Sequence, residues 1–95
     1  MEIRQINQNG KGSFKAFENE QEVGTLDYTM DENNRMLLNH TEVSPAHEGK
    51  GIGKKLLMES VEFARQKDLK VLPRCSYAET VFKRTAEIQD VLYRS

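Results

Sequence analysis

Three turn signals crowd the first half of the chain, and no other feature of the sequence limits the fold as much. Asn9-Gly10-Lys11-Gly12, Asn19-Glu20 and Asp31-Glu32-Asn33-Asn34 are built from residues that tolerate positive φ or bond their own backbone. They separate four short segments, residues 2–6, 13–18, 22–30 and 35–43. In the second segment Phe14 and Ala16 fall on one face, with Lys15 and Phe17 on the other, a strand-like alternation. In the third, Val23, Thr25, Asp27 and Thr29 alternate with Gly24, Leu26, Tyr28 and Met30. Links this short leave no room for crossover helices, so an antiparallel strand meander is predicted.

The second half changes period. Over residues 51–67 Ile52, Leu56, Leu57, Phe63 and Ala64 make an apolar stripe at helical spacing, opposite Lys54, Lys55, Glu59, Glu62, Arg65 and Gln66. Residues 69–75 read as one more strand, parallel to the 35–43 strand because a helix joins the two. Pro73 has no N–H to give a ladder, which places that strand at an edge or interrupts it. A short helix over residues 78–85 and a helical or irregular tail over 87–93 complete the chain. The fold class is α/β with an α+β character: a meander, a glycine turn, a long helix, a parallel strand and a C-terminal helix.

With 95 residues the chain is read as one domain with a single modest core. No apolar run approaches bilayer length and no secretory leader pattern follows Met1, so a cytoplasmic protein without membrane contact is expected. The net charge of -1 argues against nucleic-acid binding by bulk electrostatics. The charge is polarised, however. Residues 1–42 carry four Lys/Arg against eight Asp/Glu, whereas residues 43–95 carry ten against seven. An anionic ligand is therefore favoured on the second half. Cys75 stands alone, so no intrachain disulfide forms, and neither it nor the two histidines gives a metal-ligand spacing.

Gly49-Lys50-Gly51-Ile52-Gly53 opens the basic half, between a strand and a helix N-terminus. Glycines in that position let successive N–H groups converge on an anion, and the helix dipole reinforces them. Spacing excludes a Walker loop, because Gly53-Lys54 has Glu48 where the first glycine belongs and Lys55 where Ser or Thr belongs. The dinucleotide fingerprint fails as well, with Lys54 in the third glycine's place.

The longer run V-S-P-A-H-E-G-K-G-I-G-K-K-L, residues 43–56, resembles the acyl-coenzyme A signature of the GNAT acetyltransferase superfamily. Its core of Arg or Gln, two residues, Gly, one residue, then Gly or Ala aligns with residues 48–53, and Glu48 departs from it by placing a carboxylate first. H-T-E-V at 40–43 and P-R-C-S-Y at 73–77 narrow the resemblance to a short plant and bacterial subgroup that lacks the N-terminal helices of the full-length enzymes. The likeness runs over residues 35–84 and more loosely over the first strands.

That resemblance implies acetyl-CoA as cofactor. Backbone groups of Glu42, Val43 and Ser44 would hold the pantetheine and acyl carbonyl. Amides of Gly49, Lys50, Gly51, Ile52, Gly53 and Lys54 would hold the pyrophosphate. Cys75 and Ser76 would lie at the acyl end, with Val81, Phe82, Lys83 and Arg84 alongside the cofactor. The implied reaction is acetyl transfer to an amine, a small molecule or a protein group, by direct attack or through acetyl-Cys75.

Read individually, Cys75 is a nucleophile or a structural thiol, with Arg74 beside it to favour the thiolate. His40 and Glu42 share a strand face and form a candidate proton relay, or a plain surface pair. Tyr77 is a candidate acid for the departing thiolate. His47 is expected in solvent, and Tyr28 and Tyr93 in packing roles. Two readings compete with the enzyme: a non-catalytic module that binds or senses acyl-CoA, and an interaction domain whose turn holds no ligand. Neither the acceptor nor the oligomeric state is set by the sequence.

Overall fold

The structure, a computed structural model, describes residues 1–94. Its centre is a five-stranded sheet in sequence order, β1 (Glu2–Gln8), β2 (Lys11–Glu18), β3 (Gln21–Met30), β4 (Arg35–Val43) and β5 (Lys70–Pro73). The first four strands are antiparallel neighbours, and β5 lies parallel to β4 after the crossover helix α1 (Ile52–Lys67). Helix α2 (Ser76–Arg84) and a 3-10 segment (Ala86–Val91) close the described chain. The predicted meander, long helix and parallel strand are all present. No helix separates β1 from β2, which are joined by the Asn9-Gly10 turn.

The hairpins form where the sequence offers left-handed residues. Asn9 and Gly10 take φ of 51° and 79°, and Asn19 and Glu20 take 50° and 67°. Two consecutive positive φ values match the right-handed twist of a hairpin. Asp31 fixes the third turn by accepting the N–H groups of Asn33 and Arg35 and pairing with the Arg35 guanidinium.

Helix α1 lies across β2, β3 and β4. Ile52, Leu56, Leu57, Val61 and Ala64 meet Phe14, Ala16, Leu26, Tyr28, Met36 and Leu38, all buried in one cluster. Ala78 and Phe82 of α2 join the same cluster, so both helices cover the same side of the sheet. Tyr28 is 1% exposed, and its hydroxyl accepts a hydrogen bond from Gln5 at 2.8 Å. Phe63 stacks edge-on to Phe14, completing an aromatic layer beneath the helix. Tyr93 packs under the Arg35 guanidinium, 4.7 Å from carbon to ring centre. The Arg65 guanidinium donates to Asp90 and Glu62, which ties α1 to the tail and holds the Asp90 carboxyl below the usual carboxylate range.

Two strand irregularities depart from simple alternation. Between Ala16 and Phe17 the β2 partner jumps from Gly24 to Glu22, so Val23 is an extra residue. The bulge turns Val23 inward, where it is buried beside Gly24 rather than opposite the Leu26 face. Between Asp27 and Tyr28 the β4 partner jumps from His40 to Leu38, which makes Asn39 a second extra residue. Strand β5 is shorter than predicted and ends at Pro73, whose missing N–H falls on the outer edge of the sheet, away from β4. Its outer edge receives a single bridge from Leu92 to Val71. Among the described residues no helix is long and apolar enough to cross a membrane.

Glu20 occupies a left-handed conformation that favours glycine, and among the described residues it makes one ion-pair approach, 3.9 Å to Arg4 between exposed side chains. Glu20→Gly should therefore stabilise the protein by about 1 kcal/mol. Urea denaturation measures it; an unchanged or lower midpoint would show that the turn carries no such strain.

Candidate functional site

The site begins where the sheet opens. β4 and β5 pair only from Arg35 opposite Lys70 to Leu38 opposite Pro73. The Leu38 carbonyl then accepts N–H groups from both Arg74 and Cys75, at 2.8 and 3.1 Å, and the two strands part. Beyond that point β4 pairs only with β3. Ser44 N–H donates to the Val23 carbonyl, so by antiparallel alternation Glu42 and Ser44 direct their backbone groups toward β3. Thr41 and Val43 direct theirs into the gap that β5 leaves. Of the three β4 residues expected to hold a ligand by backbone, Val43 faces the opening.

The Asn39 bulge shifts the side-chain parity of β4. Met36 and Leu38 face the helices before it, and Thr41 and Val43 do so after it, lining a cavity with the glycine turn. His40 and Glu42 consequently project from the opposite face, exposed and paired with each other at 3.1 Å. They meet there as the period-two reading expected, but Cys75 does not join them. Its Sγ instead lies 3.5 Å from Thr41 Oγ1 and accepts the Ala78 N–H at the start of α2. Thr41 was not singled out in the sequence, because only the bulge turns it toward the thiol.

The glycine turn follows a short 3-10 segment, Pro45–His47. Gly49 and Gly51 have φ of 84° and 76°, and a Cβ at either would meet no neighbour, so backbone conformation alone favours glycine. Gly51 caps α1, and no side chain bonds the cap. The first amides of α1, on Ile52, Gly53 and Lys54, are thus left without intrahelical partners. Ile52 and Gly53 border a cavity of about 330 Å³ that Thr41, Val43, His47, Glu48, Gly49 and Tyr77 also line. An uncapped N-terminus facing a cavity suits an anionic group. Glu48 and Lys50 are both exposed, so the carboxylate is free to point away from an anion and the ammonium is free to approach one.

His47 is not in solvent as expected. Its side chain is 22% exposed, Nε2 lies 3.4 Å from a Glu18 carboxylate oxygen, and Nδ1 is buried without a partner. The contact ties the turn to the far end of β2. Tyr77 reaches from α2 to Gly53 and so belongs to the rim of the cavity. Burial is the main cause raising its pKa, with the neighbouring Cys75 adding to it.

The α2 residues divide between environments. Phe82 is 1% exposed and belongs to the core, which keeps its ring from a ligand. Val81 is half-buried against that core, and Ser76 is exposed at the helix start. Lys83 pairs with Glu79 at 3.4 Å, and Arg84 shares with it a separate groove beside Pro73 and Leu92. No metal-ligand cluster occurs among the described residues.

Residues 13–91 match a family model described as GCN5-related N-acetyl-transferase. No curated protein sequence matches significantly. Among solved structures, a GCN5-like candidate N-acetyltransferase from Staphylococcus aureus is similar at 32% identity and TM-score 0.72, over 97% of this chain and 89% of that one. An aminoglycoside N-acetyltransferase in complex with CoA shares the fold at 16% identity and TM-score 0.67, covering 99% and 92% of the two chains. An aminoglycoside acetyltransferase from an uncultured soil sample, in complex with sisomicin, shares it at 24% and TM-score 0.71. This chain matches 84% of its own length there and 59% of that protein's.

The left-handed Gly51 cap generates a direct prediction. Gly51→Ala should cost about 1–2 kcal/mol through backbone strain alone, since the side chain meets nothing. Gly51→Asn should cost less, because Asn tolerates that conformation. Thermal melts of the two variants read the difference; equal midpoints would mean that the turn relaxes.

Proposed function

The chain belongs to the GCN5-related N-acetyltransferase family, and we propose that it binds acetyl-CoA across the gap between β4 and β5 and transfers the acetyl group to an amine. One observation carries the reading. The β4–β5 pairing ends at Leu38, and Val43, the Cys75–Thr41 contact and the uncapped start of α1 are gathered around the opening that follows. When bound, acetyl-CoA supplies a thioester whose carbonyl carbon accepts a nucleophile.

Gly49, Lys50, Gly51, Ile52, Gly53 and Lys54 would bind the diphosphate through backbone N–H groups, with the Lys50 and Lys54 ammonium groups adding charge. The open backbone of Val43 would orient the pantetheine and donate to the acyl oxygen as charge develops on it. Ser76 and Val81 would lie along the path, whereas Lys83 and Arg84 line the separate groove beside Pro73. His40, oriented by Glu42, would take the proton of an ammonium approaching from the bare face of the sheet. In a direct route the amine would take the acetyl group as the thioester C–S bond breaks and CoA departs as thiolate, with Cys75 beside it. In a two-step route the Cys75 thiolate would take the acetyl group as CoA thiolate departs, then yield it to the amine and return to thiolate as the new C–S bond breaks. Fold relatives in complex with CoA and with an aminoglycoside support the cofactor and amine classes. The compartment proposed is the cytoplasm, where acetyl-CoA and free thiols are both available.

Backbone amide shifts of isotope-labelled protein, titrated with CoA and then acetyl-CoA, test the reading. Val43, residues 49–54 and Cys75 should move together. No movement at millimolar ligand would reduce the glycine turn to a turn. Binding without amine-dependent release of CoA would make the chain a binding module. Cys75→Ala separates the routes: full turnover in that variant eliminates acetyl-Cys75, whereas a loss of about a hundredfold with unchanged CoA affinity supports it.

A further inference from the structure

Gly53 and Tyr77 fit each other in a way the glycine turn alone does not require. Gly53 is the second residue of α1 and is fully enclosed, yet its backbone conformation is open to any residue. What crowds a side chain there is Tyr77. A Cβ at Gly53 would stand 3.1 Å from the hydroxyl oxygen, 3.2 Å from Cζ and 3.4 Å from Cε2. The phenol of α2 thus rests its polar end on the helix start whose amides have no cap. It borders the same cavity as Gly49, Gly51 and Gly53, and is 39% exposed there. Burial favours the neutral phenol, which is a hydrogen-bond donor.

Glu48 gives this contact a purpose. At the head of the glycine turn the chain offers a carboxylate, which cannot donate to an anion. A neutral donor from across the cleft would supply what that position lacks. We propose that Tyr77 is a diphosphate-binding residue, its hydroxyl donating to the phosphate group that the first amides of α1 hold. The assignment rests on the acetyl-CoA reading of the site and changes the part Tyr77 plays in it. The hydroxyl acts at the anionic middle of the cofactor rather than as an acid at the departing sulfur. Gly53 is the position that lets the ring come close enough.

Tyr77→Phe keeps the ring over Gly53 and removes only the hydroxyl, so the fold is retained. The full chain and this variant are titrated with CoA by calorimetry. The 31P spectrum of CoA is then recorded at saturation of each. Loss of a hydrogen bond to a charged group should weaken CoA about tenfold or more. It should also shift the two diphosphate resonances of the bound cofactor relative to the unmodified protein, leaving the 3′-phosphate resonance in place. Equal affinity for CoA overturns the inference, and equal affinity with slower acetyl transfer returns Tyr77 to the acid role. Weaker binding with unchanged diphosphate resonances also overturns it, placing the hydroxyl elsewhere on the ligand. If the unmodified protein itself leaves CoA free at millimolar concentration, the cofactor reading fails first and this inference falls with it.

Discussion

The parting of β4 from β5 is the constraint on which the rest of the structure depends. A parallel pair ordinarily continues until one strand ends, and here it ends within four residues on β5. The Leu38 carbonyl is taken by both residues that follow Pro73, so the chain turns away from β4 at that point. Those bonds swing Cys75 to the N-terminus of α2 and leave the far half of β4 with one open edge. An open edge is usually a liability for aggregation. In this fold it lies beside the starts of α2 and α1, sheltered enough to remain unpaired.

Much of this was legible from residue order. Asn9-Gly10 and Asn19-Glu20 gave hairpins at their own positions, and the stripe from Ile52 to Ala64 became the buried face of α1. Pro73 fell on the edge strand, its missing N–H facing outward. Gly49 and Gly51 took the left-handed conformations that make a turn of that composition useful. What escaped reading has a common physical cause. A bulge inserts one residue without a composition signal, because its cost is settled by tertiary packing rather than by local propensity. Val23 therefore turned inward against the alternation, and Thr41 reached Cys75 while His40 and Glu42 went to the other face. Phe82 illustrates the limit of motif carry-over: a position beside a cofactor path in sequence is a core position in this helix. His47 leaves solvent for a partner, Glu18, that lies on a strand 29 residues away in the chain.

The helices and the sheet divide labour by side. On the covered side, aromatic and aliphatic packing sets the positions of α1 and α2 to the precision a ligand cleft needs. The other side carries Ser13, Lys15, Thr25 and Asp27 in a hydrogen-bonded row, with His40 and Glu42 at its end. Polar cross-strand contacts of this kind suit a sheet surface that meets water. They keep that surface hydrated without disturbing the strands beneath it.

The gap in the sheet has a consequence for how an acceptor is chosen. Where a reactive position sits at the bottom of a walled pocket, the walls sort molecules by size before chemistry begins. An opening at the parting of two strands would sort by approach instead. For the transfer proposed above, the tip of a flexible amine would then enter from a folded macromolecule as readily as from a small molecule, and residence time at the opening, more than shape, would decide between them.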